Sequence, residues 1–366
     1  MARKWSLAPE LYATADTDTD AHWMRVMAGQ DTSPVSTDTA KPRFTLVVGP
    51  SPFSMPRGWE FFLTAPYEGA TYIATVMHNA GYPVRIIDVR YDPTPLETAY
   101  REILKGTDVL GVATFEDNFP WVRELMDHVK FARPDIPIIA GGSLVTSVPH
   151  IFMSETKTDI AVISEGEITI LELMEAYTRG AWDTELETIR GIWYRSPQGE
   201  VKKTPPRGQM QDLDSLPRMR LDLWPQAQSE KGLQPQIIAS YSRGCKMDCS
   251  FCYRTTPQVR SKSPEKFETD LLWLKEQYGT EFIFFSDLTF TSSKKQTLDN
   301  MEVLKGKDIR WTCLTRCADV DAERLKAMKE AGCDIALYGV ESLGKNILKE
   351  ARKGNTENIS IRAMRR

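Results

Sequence analysis

A repeated switch between short apolar runs and helical spacing limits this fold more than any other feature of the sequence. It occurs in two separate series. In the first, from 41 to about 178, the apolar runs 44–48, 84–88, 109–114, 136–140 and 159–163 read as strands. Between them, 69–80 places Ile73, Val76, Met77 and Ala80 on one helical face and stops at Gly81, a suitable left-handed cap. Residues 122–131 and 168–177 carry the same spacing. Nearly continuous apolar strands separated by helices are strands covered on both faces, which predicts a parallel, doubly wound α/β sheet of Rossmann-like type. Such sheets bind ligands at the carboxyl ends of their strands. Those ends are 49–52, 114–117, 141–143 and 164–167.

The second series starts at 236. Residues 237–240, 282–285, 309–315 and 335–340 read as strands. Ser263-Pro264-Glu265 opens a helix with a good N-cap and proline at its first position. Its face is Phe267, Leu271, Leu274 and Tyr278, and Gly279 ends it. Further helices are expected over 322–331 and 343–352. This predicts a β/α barrel truncated after about four strands. Residues 190–235 read as a connector, with a hairpin around Gln198-Gly199 followed by a stretch rich in proline and aspartate. Residues 1–40, poor in periodicity, read as a mobile arm. Trp5, Trp23 and Met24 suggest the alternative, a short cap on the next domain. The expected organisation is therefore 1–40 arm, 41–189 front domain, 190–235 connector and 236–366 partial barrel. At roughly 150 residues per domain, 366 residues allow about two domains, in line with the two series.

Net charge is -4, and no lysine/arginine block stands out, so nucleic acid and anionic membranes are not expected partners. No apolar run approaches the roughly 18 residues needed to span a bilayer. The basic start is interrupted by Pro9 and Glu10 before any apolar signal core forms. A cytoplasmic protein is expected.

The six cysteines are unevenly placed: none precedes Cys245. A disulfide scaffold would spread them, whereas a cluster suggests metal. Arg243-Gly244-Cys245-Lys246-Met247-Asp248-Cys249-Ser250-Phe251-Cys252 has the spacing CxxxCxxC. Three thiolates on a short loop hold three irons of a 4Fe-4S cluster and leave the fourth open. An open position separates a catalytic metal site from a closed structural one. Structural zinc would want a fourth Cys or His nearby, but none occurs between Cys252 and Cys313, and all four histidines precede residue 151. The bland alternative is three unpaired buried cysteines. Cys313, Cys317 and Cys333 read as small buried residues. Cys313 and Cys317 share one face if their strand continues.

The cysteine stretch resembles the radical S-adenosylmethionine (SAM) superfamily. The resemblance implies that Cys245, Cys249 and Cys252 hold the cluster and that Phe251 packs near the adenine. It also implies that Glu341-Ser342, after the fourth strand, contacts the SAM ribose, and that Asp287 and Arg316 close the second and third strands facing SAM. For Asp287 and Arg316 a structural ion pair is the alternative. The front series resembles the cobalamin-binding domain that precedes many radical SAM barrels. The matching residues are Pro66-Tyr67-Glu68-Gly69, Gly81 and Asp88, Gly141-Gly142-Ser143, Asp159 with Glu165-Gly166-Glu167, and the connector Asp212-Leu213-Asp214-Ser215-Leu216-Pro217. The resemblance implies corrin contacts from Tyr67, Gly69, Thr114, Phe115, Gly141, Gly142, Ser143, Gly166 and Glu167. One departure stands out: His78-Asn79-Ala80-Gly81 has the His-x-x-Gly half of a cobalt-binding motif, but Val76 stands where aspartate should be. His78 is therefore read as a helix residue, and cobalt as lacking a histidine ligand.

The implied activity is reductive cleavage of SAM to methionine and a 5'-deoxyadenosyl radical. Methyl transfer from cobalamin to an unactivated position of a small-molecule substrate would follow. An external one-electron donor of flavodoxin or ferredoxin type is the implied partner. Oxidative ring closure, as in the anaerobic cyclase, is a second outcome. A cobalamin-binding or redox module without turnover is the reading of another class. No catalytic base is assigned.

Overall fold

The computed structural model describes residues 17–29, 40–50, 65–228, 236–252, 258–354 and 357–364. The chain divides into two compact units. One is the chain up to Gln211 together with Ser215–Gly232, and the other is Asp212–Asp214 together with Leu233–Arg366.

The first unit is built on strands β1 (Phe44–Val48), β2 (Val84–Asp88), β3 (Val109–Thr114), β4 (Ile138–Gly142), β5 (Ile160–Val162), β6 (Ile192–Arg195) and β7 (Val201–Lys203). Their order is β2-β1-β3-β4-β5-β6-β7. The first five are parallel, with Phe44 opposite Val84 on one side and Val109 on the other. The chain reverses its winding between β1 and β3, so a crevice opens at their carboxyl ends. Val47, Leu110, Ile138 and Ala161 share a core with Val122, Leu125, Met126 and Val129 of the helix Phe119–Ala132. Each buried aliphatic side chain contributes about 1.5–3 kcal/mol, so this layer outweighs any single loop contact.

Two expectations change here. The hairpin of the supposed connector forms, but β6 pairs antiparallel with β5 and lengthens the front sheet. Within the supposed arm, Thr17–Met27 is a helix whose Trp23, Val26 and Met27 are buried. This fits the alternative reading, a cap on the next domain. An ion cluster ties the helix down. Arg207 pairs with Asp20 at 2.6 Å, pairs with Glu172, and donates from Nε to Thr169 Oγ1 at 2.9 Å. Sequence periodicity could not find this contact because its partners lie far apart in the chain.

The second unit has the parallel sheet β13-β12-β11-β8, made of β8 (Gln236–Ala239), β11 (Phe282–Phe285), β12 (Arg310–Thr315) and β13 (Cys333–Tyr338). A short antiparallel pair, β9 (Ser242–Arg243) with β10 (Arg260–Ser261), follows β8. Helices Pro264–Tyr278, Lys294–Leu304, Ala322–Glu330 and Lys345–Glu350 alternate with the strands. Ser263 Oγ accepts from the Lys266 N–H at 3.1 Å, the expected N-cap. Tyr241, Phe267, Phe285, Phe290 and Trp311 form an aromatic core beneath the strand ends. Among the described residues no helix is long and apolar enough to cross a membrane.

Candidate functional site

The cysteine loop leaves the carboxyl end of β8 by way of β9. Cys245 and Cys249 are half-buried, Cys252 is exposed, and none of the three is in a disulfide. The Cys252 N–H donates to the Cys249 carbonyl at 3.2 Å, and Cys245 Sγ lies 3.9 Å from Thr289 Oγ1. Among the described residues no three His, Cys, Asp or Glu side chains converge on one ion-sized point. A cubane asks for a wider spread, since each thiolate takes its own iron. Three cysteines in one loop, with no fourth Cys or His in it, are a donor set that fits such a cluster and not a closed zinc site.

Asp287 follows β11, as expected, and its carboxylate is engaged by backbone. It is 1% exposed, and its carboxylate accepts from the N–H of Ser242 at 2.7 Å, the N–H of Tyr241 at 3.3 Å and the Ser242 hydroxyl. It thus anchors the backbone that enters the cysteine loop. Burial and the Asp287 charge raise the Tyr241 hydroxyl well above its ordinary range. Arg316, after β12, is 8% exposed; Nη1 pairs with Asp319 at 3.1 Å and Nη2 donates to the Lys353 carbonyl at 2.9 Å. The ion-pair alternative therefore describes its guanidinium, although the buried Nε has no partner.

Glu341 follows β13 with a left-handed φ of 61° and pairs with Lys353 at 2.8 Å. Ser342 Oγ accepts from the Gly344 N–H at 3.0 Å. Phe251 is 56% exposed, with the Lys353 ammonium 5.4 Å from its ring centroid. Lys353 is the residue that sequence reading missed. Its only signal was the Lys353-Gly354 stop after a helical stretch, which says nothing about partners.

Cys313, Cys317 and Cys333 are buried, as expected of core residues. The hydrogen bond to Cys333, then burial, push the Cys313 thiol well up. Cys317 shares no strand face with Cys313, because β12 ends at Thr315 and Cys317 starts a 3-10 turn.

In the first unit, Tyr67 stands before the helix Glu68–Asn79, edge-on to Phe115 at 5.2 Å. The Arg90 guanidinium lies over its ring at 4.3 Å while gripping Asp88 with two hydrogen bonds, at 2.8 and 2.7 Å. Burial raises the Tyr67 hydroxyl above its ordinary range. Thr114 is fully buried and donates to the Gly141 carbonyl at 2.9 Å, so its side chain ties β3 to β4 and is not offered to a ligand. Ser143 donates to Glu116 at 3.2 Å.

Gly142 has φ 123°, and a Cβ there would overlap the Thr114 carbonyl oxygen, whereas a Cβ at Gly141 or Gly69 would meet open space. Bare backbone at the end of β4, and space above it, form a cradle compatible with a broad flat ligand. Gly142→Ala is expected to destabilise the first unit by about 2–3 kcal/mol through its strained backbone. Gly69→Ala should stay within about 1 kcal/mol of the parent. Urea unfolding midpoints check both. A Cβ at Gly166 would stand 3.3 Å from Ile73 Cδ1. Glu167 is 4% exposed and is turned into the protein, against expectation, because it begins a helix laid on the sheet. His78 sits in the last turn of its helix, as read.

Residues 239–366 match the radical SAM superfamily, and residues 63–174 match the B12 binding domain. An uncharacterized methyltransferase of Pyrococcus horikoshii is 31% identical over 309 residues, covering 82% of this chain and 66% of that one. The anaerobic magnesium-protoporphyrin IX monomethyl ester cyclase of Synechocystis sp. is 27% identical over 314 residues, covering 82% of this chain and 62% of the relative. The solved structure of the cobalamin-dependent S-adenosylmethionine radical enzyme OxsB superposes with a TM-score of 0.71 at 21% identity. That match covers 88% of this chain and 47% of OxsB, and the likeness is one of fold. The chain spans less than two thirds of the length of these relatives. With a B12 binding domain preceding a domain that opens on CxxxCxxC, the chain belongs to the radical SAM superfamily.

Proposed function

We propose that the chain carries the corrin-binding and SAM-cleaving units of a cobalamin-dependent radical SAM enzyme. It would cleave SAM reductively at a 4Fe-4S cluster and transfer a methyl group to an unactivated position of a small molecule. The observation that carries this reading is the loop of three cysteines, spaced CxxxCxxC and outside any disulfide, at the carboxyl end of the first strand in a parallel sheet. When bound, the cluster would supply the electron that splits the sulfonium, and the corrin the methyl group.

The chain's own residues bind and orient. Cys245, Cys249 and Cys252 are the proposed ligands. Phe251 offers an exposed aromatic face to the adenine. The Glu341 side chain is 41% exposed, and its carboxylate remains able to accept from ribose hydroxyls, with Ser342 beside it. Asp287 and Arg316 act one step back, by fixing the backbone from which these groups project. In the first unit, Gly141 and Gly142 permit close backbone approach, Ser143 lies beside them, and Tyr67 and Phe115 give an aromatic wall. Gly69, Gly166 and the buried Thr114 and Glu167 shape the surface without touching the corrin.

The electron would come from an external donor of flavodoxin or ferredoxin type. Cysteines outside any disulfide suit a reducing compartment, which favours the cytoplasm. The likeness to the anaerobic cyclase supports a second outcome, oxidative ring closure without methyl transfer.

The test is anaerobic reconstitution of the full chain with iron and sulfide, then dithionite and SAM. Formation of 5'-deoxyadenosine is expected, and its absence in protein that holds iron overturns the enzyme reading. Added hydroxocobalamin should be retained through gel filtration. A colourless eluate would remove the corrin from the proposal. Transfer of label from the SAM methyl group to product separates methylation from ring closure.

A further inference from the structure

We propose that Lys353 is a positioning residue for nucleoside binding at the end of β13, acting through Glu341. The inference rests on the reading of Glu341 as the acceptor for the SAM ribose and of Phe251 as the adenine platform. Lys353 lies outside every motif of the sequence reading, on the turn that follows the helix Lys345–Glu350.

The geometry is compact. Lys353 is 7% exposed, and its Nζ lies 2.8 Å from Glu341 Oε1 and 5.4 Å from the centroid of the Phe251 ring. A buried ammonium is stable only with an anion and an accepting surface around it, and Glu341 and the ring face supply both. The pair lies flat against bare backbone: a Cβ at Gly339 would stand 2.7 Å from Nζ and 3.0 Å from Glu341 Oε1.

Glu341 also holds a left-handed φ of 61°, which is unfavourable for a residue with a side chain and persists only where its surroundings enforce it. Lys353 is one such constraint. Its own backbone is held twice: its N–H donates to the Leu348 carbonyl at 3.2 Å, and its carbonyl accepts from Arg316 Nη2 at 2.9 Å. The preceding residues grip the cysteine loop. The Ala351 carbonyl accepts from the Ser250 N–H and the Glu350 carbonyl from the Ser250 hydroxyl, each at 3.0 Å.

Lys353 therefore joins the carboxylate that receives the ribose to the ring beside Cys252. It pins one edge of the Glu341 carboxylate and leaves the side chain 41% exposed, open to an incoming hydroxyl. Without the ammonium, that carboxylate is free to swing into solvent, and a charge-assisted hydrogen bond to the ribose loses its fixed acceptor.

The experiment measures SAM affinity by equilibrium dialysis on the full chain with its cluster reconstituted and oxidised, so that SAM is not consumed. Lys353→Met should keep its iron and its melting temperature but bind SAM about tenfold more weakly, equivalent to about 1.4 kcal/mol. Lys353→Arg should restore most of that loss. Glu341→Gln should weaken binding similarly, and the double variant should be no weaker than the worse single one, because the two act as a unit. Unchanged affinity in Lys353→Met overturns the proposal, as do penalties that multiply in the double variant. Loss of iron in Lys353→Met also overturns it, since the residue would then be holding the loop and not the nucleoside. Wild-type protein that holds iron and binds no SAM removes the underlying reading itself, a result distinct from wild-type binding that the variant leaves intact.

Discussion

Cys249→Ala is expected to remove the iron–sulfur chromophore and bring 5'-deoxyadenosine formation to background. Cys249 is the middle ligand of the proposed three, and the loop has no spare thiol: Cys313, Cys317 and Cys333 are buried in the core of their unit. A cubane with two protein thiolates is poorly held and lost under chelation. Iron per chain and visible absorbance after anaerobic desalting are the measurements. The control is Cys313→Ala, which removes a fully buried sulfur next to Cys333 and should leave the chromophore intact. Brown colour that survives in Cys249→Ala would show that the ligand assignment is wrong.

Asp287→Asn is expected to destabilise the second unit by about 2–4 kcal/mol and to lower its iron content. The carboxylate accepts two backbone N–H groups and a hydroxyl in a site that is 1% exposed. Hydrogen bonds to a charged acceptor contribute about 1.5–3 kcal/mol each, and a buried donor left unpaired is costly. An amide of the same shape keeps one acceptor oxygen and turns its NH2 toward a backbone donor. Denaturant midpoints give the stability change, and faster hydrogen exchange at the Tyr241 and Ser242 amides would locate it. An unchanged midpoint would count against Asp287 as the anchor of the cysteine loop.

Legibility differed between elements and contacts. The strands Phe44–Val48, Val84–Asp88, Val109–Thr114 and Phe282–Phe285 could be read residue for residue. Each is a short apolar run bounded by polar or turn-forming residues, and burial on both faces leaves no ambiguity of period. Boundaries slid by two residues at β4 (Ile138–Gly142), where two glycines extend the pairing past the apolar run. The helix Thr17–Met27 escaped notice because its outer face is polar and the arm around it has no pattern. The helix Lys294–Leu304 was likewise not anticipated, for it opens on Lys294-Lys295-Gln296 and buries few apolar side chains.

The site residues divide in the same way. Cysteine spacing marked the loop, since thiolate chemistry is carried by residue type and interval. The charged residues at strand ends were correctly placed in the chain, yet their roles were not readable. Asp287 turned inward to backbone amides, Arg316 to Asp319 and a carbonyl, and Glu341 to a lysine that no motif names.

Two α/β units, the CxxxCxxC loop between two strands of the second, and the kinship to the radical SAM superfamily are all written in the chain's local pattern. These follow from local properties: the period of apolar residues, the helix stop signals and the interval between thiols. Which buried carboxylate anchors the loop, the extension of the front sheet by β6 and β7, and the reach of Lys353 to both Glu341 and Phe251 emerge from long-range packing alone. Those outcomes depend on side chains distant in sequence competing for the same donors and acceptors. Burial forces each polar group to find a partner, and the fold chooses which one is within reach.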